Sequence, residues 1–195
     1  MVSRFIFLIL SFCWLAAAPA WADYPVPGYS TAELAMLDPS YTPIPKPRNP
    51  VLAPPSVDRV VVYKAKRRMY LKANNEVVRS YQISLGENPI GHKLYAGDQR
   101  TPEGEYILDW RNPNSQFHKS IHISYPNTRD RELAEAWGLD PGGHIMIHGL
   151  PNDAGDWAFA YAGLDWTNGC IAVTNEEMDE IWLLVADGTP IKIHP

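Results

Sequence analysis

The sequence predicts a mainly β domain with one or two short helices packed on it, and three observations carry that expectation. Residues 58–86, DRVVVYKAKRRMYLKANNEVVRSYQISLG, join a β-branched run, a second apolar run, an Asn-Asn turn and a stretch where Tyr81 and Ile83 alternate with Gln82 and Ser84. Period-two alternation between turn residues opens a β-meander. Short apolar runs recur at HIMIHG, CIAV and IKI. Helical spacing is confined to two segments.

The chain opens MVSRFIFLILSFCWLAAAPAWAD, with Arg4 ahead of an apolar run from Phe5 to Leu15 and an A-x-A site at Ala20-Trp21-Ala22. That pattern predicts a signal peptide over residues 1–22, and the run is too short to remain as a stable membrane anchor. Cys13 follows Phe12 rather than a small residue, which speaks against a lipid anchor. Residues 23–57 hold nine of the 18 prolines, a density that favours extended polyproline chain, so this stretch reads as a spacer. The domain then spans 58–195.

Within the domain, TPEGEYIL sets Pro102 and Gly104 at the second and fourth positions of a turn that leads into a strand. Residues 109–143 form a long connection, expected as a lid insertion beside the site. It contains a short helix from Arg129 to Trp137, stopped by Gly138, and offers His118, His122 and Tyr125 as substrate contacts. Thr174, with Glu177 three residues on, is a capping box for a second helix that sets Met178, Ile181, Trp182 and Val185 on a core face. The turn at 187–190 sets off the last strand.

Composition excludes some partners. The formal charge of −5 becomes −6 once Arg4 leaves with the signal, and the only basic cluster is Lys64–Arg68, read as a solvated strand edge. Nucleic acid is therefore not an expected partner. Export also changes the meaning of the cysteine count. Loss of Cys13 leaves Cys170 alone, so no internal disulfide forms, and a lone exported thiol is a reactive group, an intermolecular link or an inert buried side chain.

The surroundings of Cys170 favour reactivity. It starts an apolar strand after the Thr167-Asn168-Gly169 turn, and His148 ends another strand directly before Gly149. Two such strands side by side bring imidazole and thiol together, and a base favours the thiolate. Gly169 lets substrate approach the backbone, and the amides of Gly169 and Cys170 can face a developing oxyanion. Asp153, Asp156 and Asp165 lie in the intervening loop, either solvated or attracting a substrate amine. His144 and His148 make a poor zinc pair, because four strand residues span roughly 13 Å whereas each ligand must lie about 2 Å from the ion. No metal or other cofactor is expected.

The stretch IMIHGL…DWTNGCIAV resembles the active-site signature of the L,D-transpeptidase catalytic domain, or YkuD, family: His-Gly, a loop, then Ser/Thr-x-Gly-Cys. Here the loop between Gly149 and Thr167 has 17 residues. SLGENPIGHKLYAGDQRTPEGEY and PGGHIMIHG extend the resemblance over residues 58–195. It implies a β-sandwich-like fold acting on peptidoglycan stem peptides in the periplasm or cell wall, after secretion across the inner membrane. It further implies Cys170 as nucleophile, His148 as base and the Gly149 carbonyl as the group that orients the imidazole. The reaction implied is acyl transfer through a Cys170 thioester, with loss of D-alanine and resolution by a stem or a wall-attached protein lysine. Two positions depart from the family pattern: Asn168 stands where His is common, and Ala172 where Arg is often found. Asn168 keeps a positioning role but cannot be a second base. Ala172 offers no charged fork for a substrate carboxylate, which raises hydrolysis by water as the runner-up, ahead of a non-catalytic wall-binding module.

Overall fold

A computed structural model describes residues 56–161 and 163–195. The expected signal peptide, and the expected spacer apart from Ser56 and Val57, lie outside the described residues. Val57 is 4% exposed and packs in the core.

Eight strands follow in chain order: β1 Arg59–Tyr63, β2 Arg68–Ala73, β3 Glu76–Gln82, β4 Gly104–Asn112, β5 Ser120–Ile123, β6 Met146–His148, β7 Ile171–Ala172 and β8 Thr189–His194. They form one sheet in the order β3-β2-β1-β8-β4-β5-β6-β7. The β1–β8 and β6–β7 pairs are parallel and the others antiparallel. The β2–β3 hairpin turns on Asn74 and Asn75, both at positive φ, as a two-residue hairpin loop requires. Beyond β3 the chain pairs with the far edge. Ser84 exchanges two backbone hydrogen bonds with Ala172, each 2.9 Å. The sheet therefore curls until its ends meet, and this one curled sheet supplies the two facing layers expected of a sandwich-like fold.

The core lies inside the curl. Val60, Leu71, Leu108, Ile121, Ile147 and Ile171 point into it, with Met178 and Ile181 of α2, Asn175–Leu184. Thr174 caps α2 through the expected capping box with Glu177. The other helix, α1, spans Thr128–Ala136 and is capped by Asn127 with Asp130. A 3-10 helix at Gly155–Tyr161 was not expected. None of the described helices is long and apolar enough to cross a membrane.

The lid expectation needs correction. Residues 109–143 are not all insertion, because they contain β5, an interior strand in which Ile121 and Ile123 are fully buried. Four residues, SIHI, are too short for an alternation to be read with any force.

The two faces of α2 yield a stability test. Met178→Ala should cost about 2–5 kcal/mol in chemical denaturation, while Leu183→Ala, at a site 84% exposed, should change stability by less than about 0.5 kcal/mol. Similar losses from both would contradict this placement of the helix.

Candidate active site

The site is built on the parallel β6–β7 pair. Ile147 lies opposite Ile171 and His148 opposite Ala172, a register that continues back to set Cys170 beside Met146. Side chains on neighbouring strands share a face when in register, so Met146 and His148 share one face with Cys170 and Ala172.

His148 is 2% exposed and bonded through Nδ1 to the Gly149 carbonyl at 2.6 Å. A carbonyl only accepts, so Nδ1 carries the hydrogen and the neutral ring keeps its lone pair on Nε2. The Phe117 ring lies 4.2 Å away and the Trp166 ring meets it edge-on at 5.7 Å. Apolar burial pushes the pKa of His148 down to about 4, only partly opposed by the Gly149 bond. Gly149 itself has no room for a side chain: a Cβ would lie 2.6 Å from Asn175 Oδ1 and 2.8 Å from the His118 carbonyl.

Cys170 is partly exposed. Its Sγ lies 3.7 Å from the His144 carbonyl. Burial raises its pKa, while the Met146 amide and the Lys93 charge pull the other way. Among the described residues no hydrogen bond joins Sγ to His148. The resting pair is thus a neutral thiol and a neutral imidazole.

The turn before Cys170 is stapled from within. Thr167 Oγ1 donates to the Cys170 carbonyl at 2.8 Å and accepts from the Gly169 amide at 3.1 Å. Its backbone bonds to Leu85 and Glu87. Thr167 is 4% exposed, so it holds the turn rather than facing solvent. The Gly169 amide is committed to that staple, and among the described residues the Cys170 amide, the other of the pair expected at an oxyanion, donates to no acceptor. Gly169 is required for a different reason from the one expected. Its φ is +118°, and a Cβ would lie 2.6 Å from the Arg100 carbonyl. The close approach is by the protein's own backbone. Asn168 is exposed at the turn tip.

The remaining sequence candidates divide. His122 lies opposite Met146, which puts it in one row with Met146 and Cys170, two strand spacings or about 10 Å from the cysteine. Asp109 holds its Nδ1 at 2.6 Å and Trp110 stacks on its ring at 4.8 Å. Tyr125 does not face the site. It is 3% exposed and its hydroxyl donates to the Pro141 carbonyl, so an aromatic read as a lid contact is core instead. Asp165 is not free for a substrate amine, because Arg67 grips it with Nε and Nη2 at 2.9 and 2.6 Å and the Leu85 amide donates to it. Asp153 and Asp156 are exposed. The basic pentad is solvated only in part: Lys66 and Arg68 are exposed, but Lys64 is 2% exposed, its ammonium shared by Gly91, Thr101 and Glu103. His144 is exposed and left-handed, at φ +56°, and among the described residues no group of three or more His, Cys, Asp or Glu is arranged to hold a metal.

Phe117 and Trp166 were missed. Phe117, just before β5, reaches His148 beside its bridge to Pro151, a long-range pairing that no local pattern reveals. Trp166 stands next to Thr167 and could have been suspected from that position. Its indole N–H is buried, with no hydrogen-bond partner among the described residues.

Burial of a neutral His148 couples stability to pH. Its pKa is about 4 folded against about 6.5 unfolded, so the unfolded chain binds more protons between those values. The stabilisation is complete above pH 6.5 and declines as pH falls to 4. Denaturation of the parent should therefore lose about 3 kcal/mol more from pH 7 to pH 4 than that of His148→Gln. Equal slopes would mean that His148 titrates in the folded protein as it does in the unfolded chain, without the lowered pKa.

The chain is 32% identical over 134 residues to YafK of Escherichia coli K12, named as a candidate L,D-transpeptidase, covering 65% of this chain and 46% of that protein. The chain thus spans about half the length of the curated relatives it matches. Among solved structures, the helical cell shape determining protein Pgp2 of Campylobacter jejuni superposes with a TM-score of 0.54 at 27% identity, over 71% of this chain and 48% of that one. The model of the L,D-transpeptidase catalytic domain matches residues 57–193, the whole span from the first core residue to the last strand, and the chain belongs to the YkuD family.

Proposed function

We propose that this protein is a peptidoglycan-modifying cysteine acyltransferase, exported to the periplasm or cell wall where its substrate lies. The observation that carries the reading is the Nδ1 bond of His148 to Gly149, which leaves Nε2 as a base on the strand beside Cys170. Cys170 Sγ adds to the carbonyl carbon of the third residue of a stem tetrapeptide while His148 Nε2 takes the thiol proton. The Cys170 amide donates to the oxyanion. The intermediate collapses with cleavage of the peptide bond, His148 returns its proton to the leaving amine, and D-alanine departs. The thioester is then attacked by an amine from another stem or from a wall-attached protein lysine. His148 takes that proton, and the thiol is regenerated. The neutral resting pair fits this sequence, because the proton moves as the bond forms. A role in wall shape also fits the likeness to the cell-shape protein of Campylobacter jejuni.

Water as the final acceptor would make the same site a carboxypeptidase, and Ala172, with no charge to hold an acceptor carboxylate, favours that second reading. Mass spectrometry of products from purified disaccharide-tetrapeptide separates the two. Cross-linked dimers are expected from the parent, and tripeptide without dimers would mean hydrolysis. Cys170→Ala should lower turnover by about three orders of magnitude or more, and His148→Ala by about a hundredfold to ten-thousandfold. Undiminished product from Cys170→Ala would overturn the reading.

A further inference from the structure

Arg100 touches the turn before Cys170 through its main chain and carries a charge without a carboxylate partner among the described residues. Its backbone carbonyl packs on Gly169, the residue before Cys170. Its guanidinium lies over Gly91, with Nη1 and Cζ at 3.7 and 3.9 Å from where a Cβ would stand. Among the described residues its buried Nε finds no hydrogen-bond partner and no carboxylate pairs with it. The nearby acids are all occupied. Asp98 holds Lys93 at 2.8 Å and accepts three amides. Glu103 holds Lys64, Asp165 holds Arg67, and Glu87 accepts from Gln99. Arg100 is half-buried, and leaving its Nε–H buried and unpaired is costly, while a planar guanidinium is shaped for a carboxylate.

We infer that Arg100 binds a carboxylate of the substrate peptide, supplying from the turn before β4 the charge that Ala172 does not. This rests on the stem-peptide reading above. Stem peptides carry carboxylates at the second residue, at the side chain of a diaminopimelate-type third residue and at the terminus, so the chemistry is shared and the source is decided by experiment. Arg100 is thereby a specificity residue, and Cys170 and His148 do the chemistry without it.

The test is calorimetric binding to the full chain carrying Cys170→Ala, which binds without turnover, using disaccharide-tetrapeptide with all carboxyls free and three versions amidated at one carboxyl each. One amidation should weaken binding about tenfold to a hundredfold. Arg100→Gln should weaken the free peptide equally, with no further loss from that amidation. The blocked position that shows this coupling names the carboxylate. If Arg100→Gln binds the free peptide as tightly as its parent, or its loss adds fully to every amidation, the inference fails and the stem-peptide reading stands. If no peptide binds the parent, that reading fails and the inference with it. Should Arg100→Gln not fold, Arg100→Lys decides, because losing the fork must shrink the discrimination between free and blocked peptide. Unchanged discrimination overturns the proposal.

Discussion

Backbone-on-backbone packing with no room for a side chain fixes the position of Cys170, and the rest of the site follows from it. A Cβ on Gly86 would sit 1.9 Å from the Gln99 carbonyl and 3.0 Å from Gly169 Cα, and one on Gly169 would sit 2.6 Å from the Arg100 carbonyl. Three segments distant in sequence thus touch through main chain alone. Real Cβ atoms do not tolerate such approaches, and Gly169 also needs its positive φ. The Thr167 hydroxyl locks the turn from inside, and the Arg67–Asp165 pair ties the same loop to the β1–β2 turn. Cys170 is delivered to the edge of β7 by rigid backbone rather than by a mobile loop. That rigidity suits the nucleophile role proposed for Cys170.

Electrostatics at the site are set by exclusion of water more than by charge. Phe117, Trp166 and the core bury His148, and burial disfavours its charged form. Burial likewise disfavours a thiolate at Cys170. The two shifts act together, since each moves its group toward the neutral form. Formal charges of the neighbourhood are paired off against one another, with Arg100 left over. In this arrangement Cys170 and His148 are both held toward the neutral form, while the Arg100 main chain packs on the turn that precedes Cys170.

Much of this was legible in the sequence, and the exceptions have physical causes. The meander, the Asn74-Asn75 turn, the Thr174 capping box and the His148/Cys170 strands rest on local patterns of a few residues, and local patterns survive folding. The path from Asp109 to Gly143 was read as a lid because β5 is too short to signal itself. Its burial comes from lying between β4 and β6. Tyr125 and Asp165 were misread for a related reason, since each is claimed by a partner far along the chain, Pro141 in one case and Arg67 in the other. A sequence shows which residues can do chemistry. It does not show which of them are already spoken for. Gly169 illustrates the limit well, because its need was foreseen while its cause, contact with Arg100, was not.

The central claim is that Cys170 and His148 rest as a neutral pair and exchange a proton only as a bond forms. Alkylation of the mature protein by iodoacetamide from pH 4 to pH 10, with Cys170 labelling followed by peptide mass spectrometry, tests it most directly. A neutral pair predicts slow labelling through the acid and neutral range that rises only as the thiol itself deprotonates in the alkaline range. Fast labelling that is already level at pH 6 would reveal a resting thiolate–imidazolium pair and contradict the account.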